Sequence, residues 1–116
     1  MRRLMPLLML LATPALADDP VIESATAQRD GDSWRVDVTL SHPDTGWDHY
    51  ADGWRVLTPD GAELGLRTLF HPHVEEQPFT RSLSGIAIPE GVTHVTIQAR
   101  CLIDGWADDT YRIELD

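Results

Sequence analysis

The chain has 116 residues, nine arginines, no lysine and nineteen carboxylates, for a formal net charge of -10. That length accommodates one domain and not two, and a surface this acidic repels nucleic-acid phosphates and anionic lipid headgroups. Nucleic acid is therefore excluded as a partner.

The first residues read as a leader. Met1-Arg2-Arg3 is a basic start, Leu4 to Leu11 is an apolar run interrupted only by Pro6, and Ala15-Leu16-Ala17 has the small-x-small form of a cleavage site. The expectation is a signal peptide over 1–17 and a mature domain over 18–116, whose charge falls to about -12 once Arg2 and Arg3 are gone. The apolar run is shorter than the roughly 20 residues a membrane helix needs, and no cysteine stands at the cleavage point. No later apolar segment is long enough to span a bilayer, so the expected location is periplasmic or secreted, without membrane insertion after cleavage. Cys101 is the only cysteine, so the fold must rest on its apolar core without an internal disulfide. Its place in the pattern Val95-Ile97-Ala99-Cys101 reads as a small buried hydrophobe. An intermolecular disulfide and a soft metal ligand are the alternatives, and monomer or dimer is left undecided.

Val21 to Gln28 is rich in β-branched residues and predicts a first strand at an edge, closed by the Arg29-Asp30-Gly31-Asp32 turn. From Ser33 to Ser41, Trp34, Val36, Val38 and Leu40 alternate with polar residues, the signature of a strand with one buried face. His42-Pro43-Asp44-Thr45-Gly46 breaks it. Trp47 to Gly53 is a polar loop between two Gly-Trp pairs. Trp54 to Thr58 and Glu63 to Phe70 form a hairpin about Pro59-Asp60-Gly61, with Leu64, Leu66 and Phe70 expected on one face. Two prolines bar His71 to Pro78 from a central strand, so it reads as an extended edge or a loop crossing between sheets. Phe79 to Ile88 resumes β structure with a bulge expected at Ser84-Gly85, where the apolar parity shifts. Val92 to Cys101 places Val95, Ile97 and Ala99 inward. A Gly/Asp/Trp loop leads to a last strand, Thr110 to Leu115.

This amounts to an all-β chain of about seven strands, suited to an antiparallel two-sheet sandwich. The turn Ile88-Pro89-Glu90-Gly91-Val92, feeding an alternating strand, resembles the corner before the penultimate strand of small bacterial immunoglobulin-like or fibronectin-III-like domains. The resemblance extends over most of the mature chain in strand count, and it implies an immunoglobulin-like sandwich. The paired cysteines of antibody domains are missing, and the resemblance carries over no functional residues.

Candidate chemistry concentrates between Gly46 and Arg81. His71 and His73 are two apart, so in extended backbone both imidazoles leave one face and present two nitrogens to a divalent metal. His49 and Asp48 are the first candidates for a third ligand, with His42 and Glu75 behind them. Nitrogen-rich ligation suits zinc or copper(II). A solvated His-Pro-His loop without metal is the plainer alternative. A second reading makes the region a docking surface for an envelope protein, with Trp47, Tyr50, Trp106 and Arg81 as contact residues, because aromatic and arginine side chains anchor interfaces. Trp34 and Trp54 fit inward strand positions instead. No nucleophile elbow or phosphate-cradling loop occurs, and adjacent Glu75 and Glu76 point to opposite sides of extended backbone. The expected function is binding rather than catalysis.

Overall fold

A computed structural model describes residues 19–115; the leader expected over 1–17 lies outside the described residues. Eight strands follow in order: β1 (Val21–Asp30), β2 (Ser33–Ser41), β3 (Ala51–Leu57), β4 (Glu63–Thr68), β5 (Phe79–Ile86), β6 (His94–Cys101), β7 (Gly105–Trp106) and β8 (Tyr111–Glu114). They form two antiparallel sheets, β1-β2-β5 and β4-β3-β6 with β7 and β8 both on β6. The immunoglobulin-like sandwich is present, with β1 at a sheet edge. In the constant-type immunoglobulin arrangement the fourth strand joins the sheet of the first, second and fifth; here β4 pairs with β3.

The core follows from alternation. Trp34, Val36, Val38 and Leu40 of β2 face Trp54 and Val56 of β3 and Val95, Ile97 and Ala99 of β6, joined by Phe79, Ile86 and Ile113. The bulge expected at Ser84-Gly85 is there: Trp34 pairs with Ile86 and Val36 with Leu83, so β5 carries an extra residue, and Gly85 takes φ 71° to absorb it.

The hairpin of β3 and β4 differs from the expected parity. Gly65 rather than Leu66 points at the opposite sheet, because β4 comes so close to β5 that a Cβ at 65 would lie 2.8 Å from Leu83 Cδ2. A register shift at Val56/Leu57 accompanies this, leaving Leu66 opposite Arg55 on the outer face and 38% exposed. Leu64 still packs against the core. The strand ends at Thr68; Leu69 is the buried residue, its N–H bonded to Asp52 O at 2.9 Å, and Phe70 is 72% exposed. The 71–78 segment carries no strand and crosses from β4 in one sheet to β5 in the other.

On the outer face of the first sheet, the Ser82 hydroxyl donates to the Asp37 carboxylate, and Arg35 Nε lies 2.9 Å from the same carboxylate. The Ser82 bond, then Arg35, hold Asp37 below the usual carboxylate range.

Ile97→Ala lowers stability by about 2–5 kcal/mol, read as a fall in urea midpoint at unchanged slope, whereas Leu66→Ala on the outer face changes it by about 0.5 kcal/mol or less. A depressed folded pKa adds stability above the unfolded value and loses it as pH falls. Ser82→Ala therefore destabilises by about 1 kcal/mol at neutral pH, and the difference from wild type shrinks as pH drops below about 3.9.

Candidate metal centre

At the end of the sandwich where β2 stops and β3 starts, three chain segments converge. His42 follows β2 directly. A tight turn, in which Thr45 N–H donates to His49 O at 3.0 Å and His49 N–H to Gly46 O at 3.2 Å, presents His49. Cys101 ends β6, in register with Ala51 at the start of β3, and Leu102 N–H donates to Tyr50 O at 2.9 Å. Strand pairing thus brings a residue from late in the chain beside the 42–50 loop.

One imidazole nitrogen from each of His42 and His49 and the Cys101 sulfur lie within 4.8 Å of one another, the one such group of three among the described residues. The two rings meet edge to face, centroids 4.7 Å apart. His42 Nδ1 lies within hydrogen-bond distance of Asp44 Oδ1, at 2.6 Å. His42 Nε2 and His49 Nε2 are both buried without a hydrogen-bond partner. Orphaned buried polar atoms cost about 1–3 kcal/mol each, so two on rings that are grouped with one thiol require an explanation. Cys101 is itself buried. Its thiol lies 3.5 Å from Asp104 Oδ2, its sulfur accepts the Asp104 N–H at 3.4 Å, and burial pushes its pKa up.

Two imidazoles and a thiol suit a borderline or soft cation such as zinc or copper, with a coordination position left open. Asp44, His42 and Cys101 also follow the orienter, base and nucleophile order of covalent catalysis. A buried thiol with a raised pKa is a poor nucleophile, and the second imidazole has no role in that scheme. Metal ligation uses all three groups.

The residues singled out by spacing are distributed differently. His71 and His73 are neighbours, ring centroids 4.8 Å apart, but the first is exposed and the second buried. His73 stacks on Phe79 at 3.9 Å, and its Nε2 receives a hydrogen bond from Arg81 at 2.8 Å. Arginine only donates, so that lone pair is occupied and Nδ1 carries the proton. Burial, then the Arg81 charge, hold the His73 pKa below the usual range. Of the four expected ligands only His49 belongs to the converging group; Asp48, in the same turn, is exposed. Among the expected contact residues, Trp47 is 67% exposed and meets Tyr50 edge-on at 5.8 Å. Trp106 is half-buried, with Arg55 Cζ 3.8 Å and Arg100 Cζ 5.0 Å from its ring centroid. Arg81 is engaged by His73 and Glu76.

His42 and Cys101 carry faint signals in the sequence. His42-Pro-Asp44 lets a carboxylate reach Nδ1 of the histidine two residues before it. Cys101 is the last residue of its alternating run, where a buried face meets a loop.

No family model and no solved structure matches this chain. It is 35% identical over 101 residues to a protein of Halomicrobium mukohataei described as "Putative lipoprotein", an alignment covering 87% of this chain and 49% of that protein. The chain thus spans about half the length of this relative.

Proposed function

We propose that this chain is an exported domain that binds a divalent transition metal of the zinc and copper class through His42 Nε2, His49 Nε2 and Cys101 Sγ. The observation that carries the reading is the convergence of one ring nitrogen from each histidine and the Cys101 sulfur within 4.8 Å, with the Nε2 of both histidines buried and unpartnered. Export is supported by the basic, apolar and Ala-x-Ala pattern at the start of the chain, and by the similarity to a protein described as a lipoprotein. The raised thiol pKa fits a site that stays protonated and unreactive until a cation displaces the proton. Binding, carrying or sensing a metal in the envelope follows as the role, without catalysis.

A second reading is favoured by the surface beside the site. Trp47, Leu102 and Ile103 are 67%, 47% and 64% exposed, on the two loops that supply His49 and Cys101. Trp47 is of the type that anchors a protein partner, exposed apolar neighbours mark interaction surfaces, and an envelope protein docking there is the alternative function.

The two readings separate by titration of the exported protein, purified without a histidine tag, with zinc and copper(II). One equivalent binds, and His42→Ala, His49→Ala or Cys101→Ser each weakens binding by more than the roughly 10- to 100-fold typical of an outer-shell change, while His71→Ala leaves it unchanged. Absence of uptake, or uptake that survives both His42→Ala and Cys101→Ser, rejects the metal centre and leaves the Trp47 surface as the functional one. Loss in His71→Ala with retention in His42→Ala moves the site to the 71–78 segment.

A further inference from the structure

The geometry assigns Asp44 as the positioning residue of this site: we infer that it fixes His42 as the Nδ1–H tautomer, making Nε2 the ligating atom, and ties metal occupancy to the 71–78 segment. The ligand half of this inference rests on the metal reading above; the tautomer does not.

The Asp44 side chain is fully buried, and its one ion-pair contact among the described residues is His42. Oδ1 accepts from His42 Nδ1 at 2.6 Å and from Ala51 N–H at 2.9 Å, and Oδ2 accepts from His73 N–H at 2.7 Å. An ionised carboxylate only accepts. Both oxygens already accept backbone N–H bonds, so toward His42 the carboxylate is again the acceptor and Nδ1–H the donor; in the neutral ring the lone pair then sits on Nε2, the buried, unpartnered nitrogen of a ring grouped with His49 and Cys101. A carboxylate behind a ligating imidazole fixes the ring and raises its basicity.

Asp44 reaches the 71–78 segment once, and His42 reaches it a second time through its own backbone. Besides the His73 amide on Oδ2, Gln77 Oε1 accepts the His42 N–H at 3.0 Å and Gln77 Nε2 donates to His73 O at 2.8 Å. Both the ring and the backbone of His42 are thus linked to this segment, and a ligand that holds the ring in place holds the segment with it.

Asparagine at 44 separates the two roles. Its single carbonyl oxygen can keep His42 and Ala51, but its amide nitrogen then meets the His73 N–H donor to donor.

The test is side-chain nitrogen NMR of the histidines, with amide exchange at His73, on the exported protein before and after one equivalent of zinc, for wild type, Asp44→Asn and Asp44→Ala. In the metal-free wild type His42 is expected as Nδ1–H, and zinc shifts Nε2 and slows exchange at His73. Asp44→Asn keeps the tautomer but speeds His73 exchange. Asp44→Ala loses the tautomer preference and weakens zinc about 10- to 100-fold. An Nε2–H tautomer in the wild type, zinc on Nδ1, unaltered His73 exchange on zinc addition, or wild-type zinc affinity in Asp44→Ala overturns the inference. Should Asp44→Ala fail to fold, the wild-type tautomer and Asp44→Asn decide it. A wild type that takes up no zinc overturns the metal reading and the ligand half, while the metal-free spectrum still decides whether Asp44 orients His42.

Discussion

One buried carboxylate organises the end of this domain that carries the candidate site. Asp44 accepts three hydrogen bonds from three parts of the chain: the histidine leaving β2, the first amide of β3 and the amide of His73. Removing a carboxylate from water is costly unless its lone pairs are filled, and here charge-assisted bonds from short, well-placed donors fill them. With those donors fixed, the 42–50 loop cannot drift from the 71–78 segment. The sandwich supplies a rigid base, and Asp44 turns its loops into a defined structure.

The two histidine pairs at this end show how much the partner of an imidazole matters. His71 and His73 sit as close together as His42 and His49 do, with centroids at 4.8 and 4.7 Å. In the first pair Arg81 occupies the Nε2 of His73, and the ring is sealed against Phe79. In the second, Asp44 engages Nδ1 of His42 and leaves Nε2 without a partner, in a ring grouped with a thiol. A donor behind one histidine makes it structural, and an acceptor behind the other makes it a candidate ligand.

The outer face of the β3-β6 sheet gives a parallel case. Trp106 has the composition of a contact residue, yet it packs between Arg55 and Arg100, with Arg55 also bonded to Gln98. Trp47, with no such neighbours, remains open to solvent. Residue type alone does not distinguish the two.

Local chemistry made most of the fold legible. Period-two alternation in β2 and β6 defines buried faces that only a sheet can use, Asp-Gly turns mark the reversals, and the parity shift at Ser84-Gly85 marks a bulge that is found there. The parity of β4 was not legible, because it depends on how near β5 comes to Gly65. The candidate metal centre lay further out of reach. Spacing along extended backbone favours His71 and His73, since only neighbours two apart are guaranteed to share a face. His42, His49 and Cys101 meet because Ala51 pairs with Cys101 across the sheet, a register set by the whole core. The amino-acid sequence by itself determined an acidic all-β domain with its strands, turns and buried faces, since these follow from short-range periodicity and turn stereochemistry. Which histidine keeps a free nitrogen near the thiol was decided only by tertiary structure, because that depends on which side chains pack against each ring and on the strand register that brings Cys101 beside the 42–50 loop.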